Sequence, residues 1–162
     1  MDDKILEKLE KEDKQLADIV ARFIAFVADF IICYILIFIL MIYFINDEEI
    51  IKIRTLINNE DYINLNILLF RYVKAYFIIK FFYVLIFFYM YGATFGNMIT
   101  KTKIVNCEHF DTPNFTESLN RALVFVFCEF FINGVLFVSI FFNKTRRNFA
   151  DIASKSMVIK VD

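Results

Sequence analysis

The sequence predicts an all-α membrane protein: two full transmembrane helices, a third apolar helical segment that either re-enters or spans once, and an amphipathic N-terminal helix. Three observations carry this expectation. The 162-residue chain is 59% hydrophobic, with 22 Phe, three Gly and one Pro, whereas apolar residues make up about half of a soluble domain. The apolar excess is gathered in blocks, and ionisable residues interrupt those blocks at only a few positions.

Residues 1–20 carry Ile5, Leu9, Leu16 and Ile19 at near-helical spacing among acids and lysines, with Glu7/Lys11 and Glu10/Lys14 at the supportive four-residue interval. They predict an amphipathic helix on the membrane surface; a solvated charged helical tail is the plainer alternative. Residues 21–160 form the membrane domain, with helices over about 21–45, 63–91 and 121–142 and a C-terminal segment over 143–162. In the first helix, Phe23–Ile45 contains Asp29 as its only ionisable acid or base. At about 1.5 Å per residue this stretch crosses the roughly 30 Å hydrocarbon layer. It is too long for a signal-peptide core and lacks a small-residue cleavage site, so it is expected to remain in the mature protein.

Residues 46–70 hold five acids against Lys52 and Arg54 and predict a polar loop with a short helix. The second spanning helix is densest from Ala75 to Tyr91 around Lys80, and Gly92 is its natural stop. The third block, Leu123–Phe142, contains Glu129 and the Asn133-Gly134 pair, where a re-entrant segment would bend. Lysines and arginines concentrate in both terminal flanks, whereas the first loop has two. The positive-inside rule therefore places both ends in the cytoplasm and favours a third segment that dips in and returns over a single third crossing.

An acid within a span is a functional candidate by default. Roughly twenty apolar residues at about −0.4 kcal/mol outweigh roughly +3 for Asp29, so the helix inserts despite it. Arg22 precedes Asp29 by seven residues, which puts both on one helix face about 10 Å apart. Arg121 and Glu129 repeat the arrangement eight residues apart. Lys80, counted back from Gly92, lies several ångströms deeper, a gap its flexible stem spans, and the expectation is a buried cluster of Asp29, Glu129 and Lys80 able to bind a proton or small cation. The plainer reading has these charges fixing helix packing, with Lys80 snorkelling to the interface.

Cys33 and Cys128 fall in apolar runs and Cys107 in a polar loop, without a CxxC pair, so neither a metal site nor a disulfide frame is expected. Net charge is −1 with no basic face beyond the membrane flanks, which argues against nucleic acid. No catalytic constellation and no cofactor motif is visible, so the chain is not expected to be an enzyme.

Three segments resemble the RDD family of membrane proteins: Arg22-x6-Asp29, Gly92-Ala93-Thr94-Phe95-Gly96, and Arg146-Arg147-Asn148-Phe149-Ala150-Asp151-Ile152-Ala153 followed by Met157-Val158-Ile159. Arg22, Asp29 and Asp151 fall on the arginine and two aspartates that name the family. Asn97 and Lys155-Ser156 depart from its usual residues. The resemblance implies a bacterial inner-membrane protein and suggests transport, with cation/proton exchange proposed for some members; the charge bias above makes it multi-pass with a cytoplasmic N-terminus. It also puts Asp151 in a charge network with Arg22; a surface ion pair is the plainer alternative. Residues 96–105 and 150–159 look alike, each a helical turn with Lys101 or Lys155 and then a Val/Ile pair. So few helices enclose a pathway only as a homo-oligomer or within a larger membrane complex. The competing function is a non-catalytic scaffold or accessory subunit.

Overall fold

A computed structural model describes residues 2–131 and 139–161. The chain forms two compact units, Met1–Phe30 with Phe81–Asp162, and Ile31–Lys80. It is mostly helical, and two helices are long and apolar enough to cross a membrane, α2 (Ile19–Phe44) and α4 (Tyr62–Tyr91). Their outward residues are large and apolar, among them Phe38, Ile42, Ile67 and Phe82.

α1 (Asp2–Lys11) is shorter than the expected 1–20 helix. Its Ile5 and Leu9 are buried in a cluster with Val105, Cys107, Phe110, Met157 and Ile159. The apolar face expected at the membrane surface is therefore covered by protein.

In the Ile31–Lys80 unit, the polar stretch contains α3 (Asp47–Asn58), started by Asn46, whose side chain accepts from Glu49 N at 3.0 Å. Asp61 starts α4 by accepting from Asn64 N at 3.2 Å. Glu49 is held by Arg71 and by the Tyr72 hydroxyl at 2.7 Å. Lys80 is buried, and its Nζ donates to the Tyr76 hydroxyl, one turn back, at 3.1 Å.

Two strands correct the all-α expectation. After α5 (Phe95–Ile99) the chain forms β1 (Thr102–Asn106), and after α7 (Phe149–Ala153) it forms β2 (Ser156–Lys160). The strands pair antiparallel, with Ile104 opposite Val158. Their Val and Ile residues fit a half-buried pleated surface, but each run is only five residues long. The two halves are one motif used twice. Thr94 and Asn148 start the two short helices, and Lys101 and Lys155 follow their ends with φ of 51° and 50°. Lys101 O accepts from Val161 N and Lys155 O from Cys107 N, at 2.8 and 3.0 Å. The shift that carries Ile104 onto Val158 carries every one of these residues onto its counterpart, so the sheet has a local two-fold axis at that pair.

Paired side chains point to one face of a sheet. Val105, Met157 and Ile159 face α1, leaving Ile104, Ser156 and Val158 on the opposite face. Residues 15–17 run along the free edge of β2, where Ala17 N donates to Val158 O at 3.0 Å and Lys160 N to Gln15 O at 2.9 Å.

The third apolar segment begins earlier than expected, as α6 (Phe115–Phe131). Asn114 and Glu117 form a capping box there: Glu117 N donates to Asn114 Oδ1 at 2.9 Å and Asn114 N to Glu117 Oε2 at 3.0 Å. A short 3-10 helix follows at Ser139–Phe142. The Asn133-Gly134 bend lies outside the described residues.

Candidate functional site

The unit containing both chain ends forms a small, part-polar pocket of about 30 Å³ beneath the sheet face opposite α1. Arg22, Asp29, Thr94, Asn97, Arg121 and Asn148 supply its polar wall, and Phe26, Phe88, Phe125 and Val158 the apolar remainder. α2 contributes Arg22 and Asp29 from one face, and α6 contributes Arg121. The two turns contribute Thr94 and Asn97, and Asn148.

Asp29 is buried and is met by three donors from the end of α4 and the turn after it. The Tyr83 hydroxyl donates to Oδ1 at 2.7 Å, Gly96 N to Oδ1 at 2.9 Å, and Thr94 Oγ1 to Oδ2 at 2.5 Å. The Gly92-x-Thr94-x-Gly96 sequence explains how the turn reaches an acid on another helix. Gly92 has φ +63°, and a Cβ there would meet Ile104 O at 2.9 Å, so glycine is required to leave α4 and start toward β1. Thr94 both starts α5, accepting from Asn97 N at 3.3 Å, and donates to Asp29. At Gly96 a Cβ would lie 2.1 Å from Ala25 O and 2.9 Å from Asp29 Cγ. Only a residue without a side chain lets the α5 backbone touch α2.

Asp151 is wholly buried and receives both Arg22 Nη2 and Arg121 Nη1. It also closes a capping box on α7, accepting from Asn148 N at 2.8 Å while Asn148 Oδ1 accepts from Asp151 N at 2.7 Å. Burial pushes this carboxyl up, but Arg121, Arg22 and the Asn148 hydrogen bond outweigh it and hold the group below its ordinary value. With neither partner side chain exposed, this is no surface ion pair. Arg22 Nη1 donates to Arg146 O, and Arg121 Nη1 also donates to Ser156 Oγ at 2.7 Å. The Arg121 guanidinium lies 4.9 Å over the Phe88 ring.

Of the sequence-selected residues, this arrangement gathers Arg22, Asp29, Thr94, Gly96, Arg121 and Asp151. Glu129 is buried on the same α6 face as Arg121, eight residues further on. Lys80 closes the other unit. Tyr83, Asn148 and Ser156 were not selected from sequence. A hydroxyl inside an apolar block could have drawn attention to Tyr83, and the Asn148-x-x-Asp151 capping pattern to Asn148. Cys107, expected in a polar loop, is buried against Arg147 Nη1 at 3.9 Å. Burial pushes its thiol up despite that arginine.

Two helices long and apolar enough to cross a membrane, with a charge-lined pocket beside them, fit a small helical membrane protein. A family model described as the RDD family matches residues 16–155, and the chain belongs to that family. No curated protein and no solved structure matches it.

Proposed function

We propose that the chain is a small bacterial inner-membrane transport component, with Asp29 as the group that takes up and releases a proton or small cation. The cavity carries this reading. An acid that only fastened helices together would need partners and no chamber, whereas Asp29 lies on the wall of a part-polar pocket large enough for one or two waters. Through such water a proton reaches a carboxylate that is otherwise closed off by Phe26, Phe88 and Phe125. Because few helices bound the chamber, the complete pathway forms in a homo-oligomer or a larger membrane complex.

The third apolar segment dips in and returns, with both chain ends in the cytoplasm. Supporting this, Phe131 is ten residues beyond Arg121, about 15 Å along a helix and half the bilayer core. Beyond the segment, Ser139 Oγ donates to Arg147 O at 3.1 Å, and Asp151 pairs with Arg121 near the start of α6. In a cysteine-free background, Lys52→Cys should react in intact cells with a thiol reagent that cannot cross the membrane, and Glu108→Cys should not. The opposite pattern reverses the orientation.

The deciding experiment is reconstitution. Wild-type vesicles should couple an imposed cation gradient to a pH change, and Asp29→Asn should bring it to background while the protein still folds and inserts. A scaffold is the second reading, favoured by the three donors that fasten Asp29. Background flux in the wild type would select it.

A further inference from the structure

We propose that the two capped turns are paired membrane-interface anchors, which seat the sheet on the leaflet where α2 begins and α4 ends and bind anionic phospholipid headgroups through Lys101 and Lys155. The inference rests on the membrane reading of the chain and not on transport. α5 and α7 lie outside the spanning helices, yet each turns large apolar side chains outward. Phe95 and Ile99 are 48% and 66% exposed on α5, and Phe149 and Ile152 are 42% and 46% exposed on α7. Phe95 corresponds to Phe149, and Met98, also exposed, to Ile152, so the same pattern arises from two different stretches of sequence.

A five-residue helix in water has no reason to expose two aromatic and aliphatic side chains one turn apart, and still less to do so twice. The inward sides are already used: Gly96 touches α2, and Ala150 and Asp151 are buried. The local two-fold axis relates the two turns through the sheet and keeps them to one side of it, so one flat surface can accept both. Only three residues separate the end of α4 from the start of α5, which brings its outward face to the bilayer boundary.

The charge pattern selects the lipid. Each apolar face ends in an exposed lysine, Lys101 or Lys155, whose stem can lie along the acyl boundary while its ammonium meets a phosphate. A membrane-surface lysine is worth roughly a fivefold preference for anionic over zwitterionic lipid.

The chain has no tryptophan, so Phe95→Trp and Phe149→Trp each give a single fluorophore. In vesicles of phosphatidylcholine and phosphatidylglycerol with brominated acyl chains, both should emit to the blue of an aqueous tryptophan. Bromine near the headgroup should quench both more strongly than bromine near the chain end. Met98→Trp and Ile152→Trp report on the same faces should either aromatic substitution unfold the protein. Water-like emission without quenching at either turn would overturn the paired anchor, as would stronger quenching from the chain end. Lys101→Gln with Lys155→Gln should reduce co-purified phosphatidylglycerol relative to phosphatidylcholine by roughly an order of magnitude or more. An unchanged ratio would overturn the headgroup assignment. Neither readout depends on flux, so loss of the transport reading leaves this one standing.

Discussion

The two capped turns, 94–106 and 148–160, share a backbone and hold opposite loads. The first offers Thr94 Oγ1 and Gly96 N, and receives the carboxylate of Asp29 from α2. The second supplies its own carboxylate, Asp151, and receives Arg22 from α2 and Arg121 from α6. At the matched positions Asn97 stands where Asp151 stands, and Gly96 where Ala150 stands. A single pair of turns thus joins neutral donors to one acid and two guanidinium groups to the other. The two buried cations favour the ionised form of Asp151. In the transport proposal Asp29 is the working group, and its two ion pairs make Asp151 a structural one.

Position 96 should break the comparison most severely. Gly96→Ala places a methyl against the Ala25 carbonyl, and neither backbone can give way without parting α5 from α2. The expected cost exceeds about 3 kcal/mol, the upper end of ordinary overpacking, and shows as loss of the monodisperse protein in detergent. Ala150→Gly at the matched site adds backbone freedom and removes one buried methyl, and should cost about 1–2 kcal/mol in thermal or denaturant unfolding.

Asp151→Asn comes next. It leaves two buried guanidinium groups sharing a neutral amide, and by the usual cost of breaking a buried ion pair should destabilise by roughly 3–5 kcal/mol. The same group fixes a pH dependence. Its folded value is depressed, so its contribution is fully present above the unfolded carboxylate value of about 3.9 and is lost as pH falls through the folded value. Unfolding measured between about pH 5 and 8 should be flat on this account, with an acid-side loss below about 4 that Asp151→Asn lacks.

Smaller effects sharpen the contrast between the caps. Thr94→Ala removes both a cap and a donor to Asp29, and should cost about 2–3 kcal/mol. Asn148→Ala removes the cap alone and should cost about 1–2 kcal/mol in the same unfolding assay.

The spanning helices were legible because an uninterrupted apolar block of sufficient length has few other fates. The expected starts near residues 21 and 63 fall within two residues of Ile19 and Tyr62. The strands were not legible as strands: five residues with one Val/Ile pair carry too little periodicity, although the likeness between 96–105 and 150–159 was visible before its meaning. The start of α6 was missed because the apolar block begins only at Leu123, whereas the Asn114/Glu117 capping box, written in polar residues, sets the true start. The spacing of Arg22 and Asp29 on one face of α2 could be read from sequence. Their assignment to different turns could not, since it depends on contacts more than a hundred residues away for one and nearly seventy for the other.

The division of labour between the two acids is tested most directly by measuring flux and unfolding together on purified, reconstituted Asp29→Asn and Asp151→Asn. Asp29→Asn should remain folded, because an amide oxygen still accepts from Gly96 N and Tyr83, and should lose cation-coupled proton movement. Asp151→Asn should lose far more stability. An Asp29→Asn protein with wild-type flux, or an Asp151→Asn protein as stable as Asp29→Asn, would contradict the account.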